Sequence, residues 1–277
     1  MNAGYPQAAP ARTRDELDTL DRIDARVRAL AVSIGAREMQ YPALIARAVL
    51  EQAEYPRAFP HLLMSASRIE LLENGDTGQA GSGSPIRTDW CLSPAVCYHT
   101  YAQLARRVLE DPVVITARGR CFRAERESAP GIRQIEFEMR EIVLLGAPAW
   151  IDTSAEMARR AIETVGREAG LAGDWEVAED PFFLPVAAGK ALMQRLLKVK
   201  LEYQWPGAGG LALASINRHG PFFGRRFDIA TPDGEPVHTM CIAVGLDRWA
   251  HHARGSLDAG RTACTAPCAT HNEEVTP

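Results

Sequence analysis

The stretch CFRAERESAPGIRQIEFEMREIVLLG, from Cys121 to Gly146, holds the side chains of this chain best suited to chemistry. Arg123 offers a planar cation that can grip two phosphate oxygens at once. Glu125 can accept hydrogen bonds from an amino group. Phe137 is a flat plate on which a base can stack, and Glu141 adds a second carboxylate four residues further on. The two runs CFRAE and QIEFEMREIVLL alternate polar and apolar residues around a loop containing Pro130, Gly131 and Arg133, so they read as paired strands lining a pocket. In a strand, Phe137 and Glu141 point to one face. Cation, carboxylate and aromatic plate together are the parts of a nucleotide site. The same residues also fit a solvated hairpin with ion-paired faces, and this stretch does not choose between the two.

Two distant elements would have to position that hairpin. HTMCIAVGLDRWAHH, from His238 to His252, reads as a buried strand passing through Gly245 into a helix, with Arg248 in the first helical turn. An arginine there can reach phosphates or stack its guanidinium on a base. Near the start, Leu17, Leu20, Ile23, Val27, Leu30 and Ile34 form an approximate helical stripe, followed by Gly35 and then Pro42. A proline in an apolar segment belongs at a sheet edge or an interface.

In order, these three resemble the signature motifs of class II aminoacyl-tRNA synthetases: a long helix and a strand ending in proline, the F-R-x-E loop F-x-x-x-E hairpin, and G-L-x-R opening a helix. The resemblance spans residues 14–254. It implies an α+β catalytic core, mainly an antiparallel sheet flanked by helices.

The remaining chain bounds the reading. With 277 residues, 46% apolar and 24% charged, the composition suits one large globular domain. No apolar run approaches the roughly 18–20 residues of a membrane span, and MNAGYPQAAPAR lacks the apolar core of a secretion signal, so a cytoplasmic location is expected. Residues 1–13 and 255–277 read as flexible tails and Asp76 to Ser84 as a Gly/Ser loop within the domain. Ser154 to Ala169 reads as a helix capped by Thr153 or Ser154 and stopped by Gly170. Pro185 to Lys200 reads as a basic helix in an insertion around 180–200. A tRNA-reading domain has no room in this layout, and a net charge of −4 gives no overall attraction for tRNA.

The expected cytoplasmic location keeps the six cysteines reduced and argues against disulfides, and the lack of a CxxC pair argues against a zinc finger; an isolated buried cysteine usually acts as a small hydrophobe. The resemblance singles out Cys97, which ends L-S-P-A-V-C where related synthetases carry a substrate loop, together with Glu141 and Cys241. Atypical archaeal seryl-tRNA synthetases hold zinc with Cys, Glu and Cys in that order. Such a set leaves one position open for a substrate's amino group. Cys91 is the competing ligand, Cys121 is expected in the core, and Cys264 with Cys268 and His271 forms a loose tail pattern.

The resemblance implies further roles. Arg123 holds the α-phosphate and the amino acid's carboxylate, Glu125 accepts from the adenine amino group, Phe137 and Arg248 sandwich the base, and Arg133 is a second phosphate clamp. SINRHGPFFGRRFDI resembles a seryl-synthetase strand region, which places Ser215 and Asn217 at the substrate or Mg²⁺ site. Those synthetases carry a glutamate shortly before the serine; here the chain reads Gly210-Leu-Ala-Leu-Ala214, so the Mg²⁺ ligands are left open. Asp247 stands where glutamate is common.

A class II core with this metal set and no tRNA domain is similar to the amino acid:[carrier protein] ligases, as are GAREMQYPALI, PAVCY, MREIVLLG and DPFF…GKALMQR. That similarity implies formation of an aminoacyl-adenylate from ATP and glycine or alanine, transfer to the phosphopantetheine thiol of a carrier protein, and a homodimer. Lys190, Arg195, Lys198 and Lys200 are candidates for docking an acidic carrier, or simply a solvated helix face. A tRNA-charging paralogue and a non-catalytic amino-acid or nucleotide sensor are the alternative readings.

Overall fold

The computed structural model describes residues 9–69, 85–178 and 199–253. The Gly/Ser loop, the C-terminal tail with Cys264 and Cys268, and the insertion up to Lys198 lie outside the described residues, as do residues 1–8.

The chain opens with α1 (Arg14–Ser33), and its start is written locally. Thr13 caps the helix, accepting from the Glu16 N–H, while the Glu16 carboxylate accepts from the Thr13 N–H at 2.7 Å; this reciprocal box is worth about 1 kcal/mol. The helix ends where Gly35 adopts φ 82°, with Ala36 N–H donating to Ala31 O and Gly35 N–H to Val32 O. Its stripe of Leu20, Ile23, Val27 and Ala31 is buried in the chain's own core.

A short strand β1 (Arg37–Glu38) follows. Pro42 lies in the link to β2 (Leu44–Ala46), outside any ladder, because proline has no N–H to donate. Then come α2 (Arg47–Gln52), α3 (Tyr55–Ala58), β3 (Ser65–Ile69), β4 (Pro85–Leu92), α4 (Cys97–Gln103), β5 (Val113–Phe122) and β6 (Glu136–Gly146). The second half contains α5 (Pro148–Glu168), β7 (Asp174–Val177), β8 (Lys200–Trp205), β9 (Leu211–Gly220), α6 (Phe222–Phe227), β10 (His238–Gly245) and α7 (Leu246–His252).

Among the described residues, seven strands form one sheet in the order β1-β5-β6-β10-β9-β8-β7, antiparallel throughout except for β1 on β5. A small sheet, β2-β4-β3, stands apart. The central strands β6 and β10 are covered on both faces. Ile142, Leu144, Met240 and Ile242 face the α1 and α5 layer, whereas Val143, Leu145 and Cys241 pack toward α4 and α6. That is the period-two alternation of a strand buried on both sides. Among the described residues no helix is long and apolar enough to cross a membrane.

Three expectations need correction. Helix α5 begins at Pro148, six residues before the expected start, since proline at the first helical position needs no acceptor for a missing N–H. Thr153 is instead inside the helix and donates back to Ala149 O at 3.1 Å, while the expected stop at Gly170, φ 71°, is observed. Lys200 opens strand β8 rather than closing a helix. Arg12 and Thr13, read as tail, make specific side-chain contacts.

The side of the sheet under α1 carries one buried ion pair, Arg140–Asp24, linked to partly exposed neighbours. Arg140 sits almost wholly buried, gripping both oxygens of Asp24 at 2.5 and 2.9 Å, with Thr116 and Glu38 at 3.3 and 3.2 Å. Removing one partner strands a charge in the interior. The Asp24→Ala variant is therefore expected to lose about 3–5 kcal/mol of stability, read from urea unfolding; a loss no greater than that of an exposed pair, about 1 kcal/mol or less, would show that solvent reaches Arg140.

Candidate active site

The hairpin β5–β6 pairs in the register Phe122↔Glu136 and Cys121↔Phe137, which places Arg123 and Glu125 just past the strand end and Phe137 and Glu141 on the ladder. The loop between them is fixed at both ends. At its base, Phe122 N–H donates to Ser93 O and Arg123 N–H to Ile135 O, both at 2.9 Å. At its tip, Gly131 takes φ 70° and packs so closely on His251 that an added Cβ would lie 2.1 Å from the ring. Glycine meets both demands.

This hairpin forms one wall of a cavity of about 290 Å³. Strand β9, in the same sheet and separated from β6 only by β10, adds Ser215, Asn217 and His219 at alternate positions, and Arg248 stands at the start of α7. Tyr55, Phe59, Leu62 and Tyr98 give one end an apolar lining. The ten residues given ATP-binding, amino-acid-binding or metal-ligand roles from sequence all line this one cavity.

Arg123 lies over the Phe137 ring, 5.1 Å from its centre, and its Nε donates to Pro94 O at 3.3 Å. Arg248 donates to Ile132 O at 2.9 Å and to Ala212 O at 2.6 Å, tying the hairpin loop to β9. Arg133 approaches Glu125 at 3.8 Å. Burial lowers the Arg248 pKa, and the charges of Arg123 and Arg133 lower it further. Arg248 thus feels the like charges of two other guanidinium groups in a single cavity. A polyanion bound there relieves that repulsion.

Glu202 was not foreseen. It stands on β8 directly opposite Ser215, lines the cavity, and accepts from Lys200 and Gln204, each at 2.9 Å. The Asn217 amide donates to Ser215 Oγ at 3.0 Å. The Gly210–Ala214 stretch carries no carboxylate, and the neighbouring strand brings one, Glu202, to the same cavity. The alternation Lys200, Glu202, Gln204 was visible in the chain, but its partner strand was not.

The cavity floor holds Cys97, the first residue of α4, with Glu141 on β6 and Cys241 on β10. All three are buried, and their ligand atoms lie within 4.8 Å of one another. The Cys97 N–H donates to Glu141 Oε2 at 2.5 Å. Burial pushes the Glu141 carboxyl up. The Cys241 thiol is raised well above its usual value by its hydrogen bond with Cys97 and by burial. For Cys97 that hydrogen bond lowers the pKa, but burial and the Glu141 charge more than offset it. Three acids are crowded into the floor beyond what their own charges tolerate, and a divalent cation reverses that penalty. Two thiolates and a carboxylate suit zinc with one position left open.

The rival ligand Cys91 is elsewhere, packed with Ile45, Leu50 and Tyr55 under the small sheet. Cys121 sits with Val96, Ala117 and Met139 in the core, as expected.

No protein-family model matches this chain. It is 31% identical over 230 residues to amino acid–[acyl-carrier-protein] ligase 1 of Bradyrhizobium diazoefficiens, a match covering 78% of this chain and 70% of that one. It is 28% identical over 172 residues to the type-2 serine–tRNA ligase of Methanothermobacter thermautotrophicus, covering 58% of this chain and 33% of that one. In three dimensions it superposes on the seryl-tRNA synthetase of M. kandleri, solved with a tRNASec of A. aeolicus, with TM-score 0.66 and 18% identity over 89% of this chain and 57% of the other. The fold is that of the class II synthetase catalytic core.

Proposed function

Because the chain belongs to the amino acid–[acyl-carrier-protein] ligase family, we propose that it joins glycine or alanine to AMP and then to the phosphopantetheine thiol of a carrier protein. One observation carries this reading: Arg123, Arg133 and Arg248 converge on a cavity whose buried floor is Cys97, Glu141 and Cys241. Cations for a triphosphate and a thiolate–carboxylate set for an amine lie in one chamber.

In the first step the amino acid's carboxylate oxygen attacks the α-phosphorus of ATP, and pyrophosphate leaves. Arg123 neutralises the charge that builds at phosphorus, and no protein nucleophile is required. Glu125 accepts from the adenine amino group, Phe137 and Arg248 flank the base, and Arg133 steadies the outer phosphates. Glu202, with Ser215 and Asn217, offers oxygen ligands to the Mg²⁺ that accompanies ATP. Cys97, Glu141 and Cys241 would hold a zinc ion, which would supply Lewis-acid binding of a deprotonated α-amino group. In the second step the pantetheine sulfur attacks the acyl carbon, and AMP leaves.

The apolar side chains at one end of the cavity suit the pantetheine arm. Of the expected docking cations, Lys200 faces the cavity and pairs with Glu202; Lys190, Arg195 and Lys198 remain in the proposal on charge alone. A homodimer remains in it on the resemblance, since the stripe of α1 is buried in the chain's own core.

The test is amino-acid-dependent ATP–pyrophosphate exchange on zinc-loaded protein with glycine, alanine and serine. Exchange with one small amino acid, followed by a mass increase of a pantetheinylated carrier, is the expected result. Exchange followed by acylation of tRNA instead would turn the reading to a synthetase. Silence with every amino acid, in folded and metal-loaded protein, would turn it to a sensor.

A further inference from the structure

Beside the cavity, a residue of the expected N-terminal tail ties together Glu138 and Asp247, two lining residues that are far apart in sequence. We propose that Arg12 is a positioning residue for nucleotide binding, clamping the segment that carries Phe137 to the segment that carries Arg248. The identity of the bound anion rests on the adenylation reading above.

Glu138 follows Phe137, and Asp247 precedes Arg248. Because side chains alternate along a strand, Glu138 points away from the face that Phe137 presents. The Arg12 guanidinium spans the Glu138 and Asp247 carboxylates. Nη1 donates to Glu138 Oε1, and Nε and Nη2 donate to Asp247 Oδ1 at 3.1 and 2.6 Å. The remaining oxygens are also engaged. Asp247 Oδ2 accepts the Glu138 backbone N–H at 2.5 Å, and Glu138 Oε2 accepts from Arg118 Nε at 2.7 Å.

The site is secluded: side-chain exposure is 20% for Arg12, 10% for Glu138 and 11% for Asp247. Burial raises the Glu138 carboxyl, yet Arg12 and Arg118 together hold it below the usual range. Without Arg12, two carboxylates would share a buried site with one fewer cation between them, an arrangement that like-charge repulsion opposes. Repulsion there moves Glu138 away from Asp247, and with them Phe137 away from Arg248. Next in the chain, the Thr13–Glu16 capping box fixes the direction from which Arg12 arrives.

The test uses full-length variants and two readouts: ATP affinity by calorimetry without amino acid, and the KM values for ATP and amino acid in exchange. Arg12→Ala is expected to weaken ATP binding by roughly tenfold while the amino-acid KM stays within about twofold. Arg12→Lys should restore part of the affinity, since a point charge reaches one carboxylate better than two. Thr13→Ala, which loosens the neighbouring cap but keeps the clamp, should lower the Tm without changing ATP affinity. ATP affinity unchanged in Arg12→Ala would overturn the proposal, as would equal losses for ATP and amino acid in both Arg12→Ala and Thr13→Ala. If Arg12→Ala does not fold, Arg12→Lys decides: a selective loss of ATP affinity supports the clamp, and unchanged affinity overturns it. Parent protein that binds no ATP at all would instead remove the adenylation reading, before any variant is compared.

Discussion

Replacing Arg123 by alanine is expected to slow ATP–pyrophosphate exchange by about 10²–10³-fold, the usual cost of losing one preorganised donor aimed at developing charge. The position explains why the loss falls on the chemistry. Arg123 is held by the Pro94 carbonyl and the Phe137 ring, so its guanidinium is set in place before any anion arrives. Its anchoring to the fold is slight, one hydrogen bond of 3.3 Å and one ring contact. Stability should therefore change by only about 1 kcal/mol, and the melting curve separates the chemical effect from unfolding. Arg123→Lys should not recover full activity, because an ammonium lacks the planar fork that engages two oxygens. Full exchange in Arg123→Ala would remove the arginine from the reaction and the site assignment with it.

The second large effect concerns the floor. Cys97→Ser and Cys241→Ser are each expected to abolish stoichiometric zinc binding. They should also cut exchange by roughly 10³-fold, taking several kcal/mol for a lost metal centre. Cys91→Ser is the informative control: it disturbs an apolar cluster with Ile45, Leu50 and Tyr55 but should keep its zinc. Metal analysis of purified variants reads this directly. Zinc retained in Cys97→Ser and lost in Cys91→Ser would reassign the site.

The same cluster predicts a pH dependence. Glu141, Cys97 and Cys241 all have raised pKa values, so metal uptake must expel protons that the buried site holds. Apparent zinc affinity should rise with pH and fall in acid, with protons released on binding. In metal-free protein the sign for stability is opposite. A group with a raised folded pKa stabilises the fold below its ordinary pKa and loses that contribution as pH rises through the raised value. Chelated protein should thus lose stability as pH climbs above the normal carboxylate range, and zinc should cancel that loss.

Much of the positioning was local and therefore legible. The four-residue spacing of Phe137 and Glu141 places them on one face of any strand. Gly245 followed by LDRW marks a strand giving way to a helix, and Arg248 emerges there. The α1 stripe and Gly35 delimit a helix whatever surrounds it, since capping and apolar periodicity act within a few residues. What failed locally had a local competitor: Ser and Thr favour caps, yet Pro148 starts α5 upstream of both.

Taken by itself, the amino-acid order determined which strand or helix displays each candidate residue, because side-chain direction follows from backbone period. Only the tertiary structure decided which of them meet. Cys91 and Cys97 are six residues apart, but β4 directs one into the small sheet's core while α4 turns the other onto the cavity floor. Glu202 enters the site only through the register of β8 on β9, which places it opposite Ser215. Arg12 reaches Glu138 and Asp247 only because α1 packs across the sheet behind them. Strand register and helix docking are set by contacts between distant segments, and no period within one segment encodes its partner.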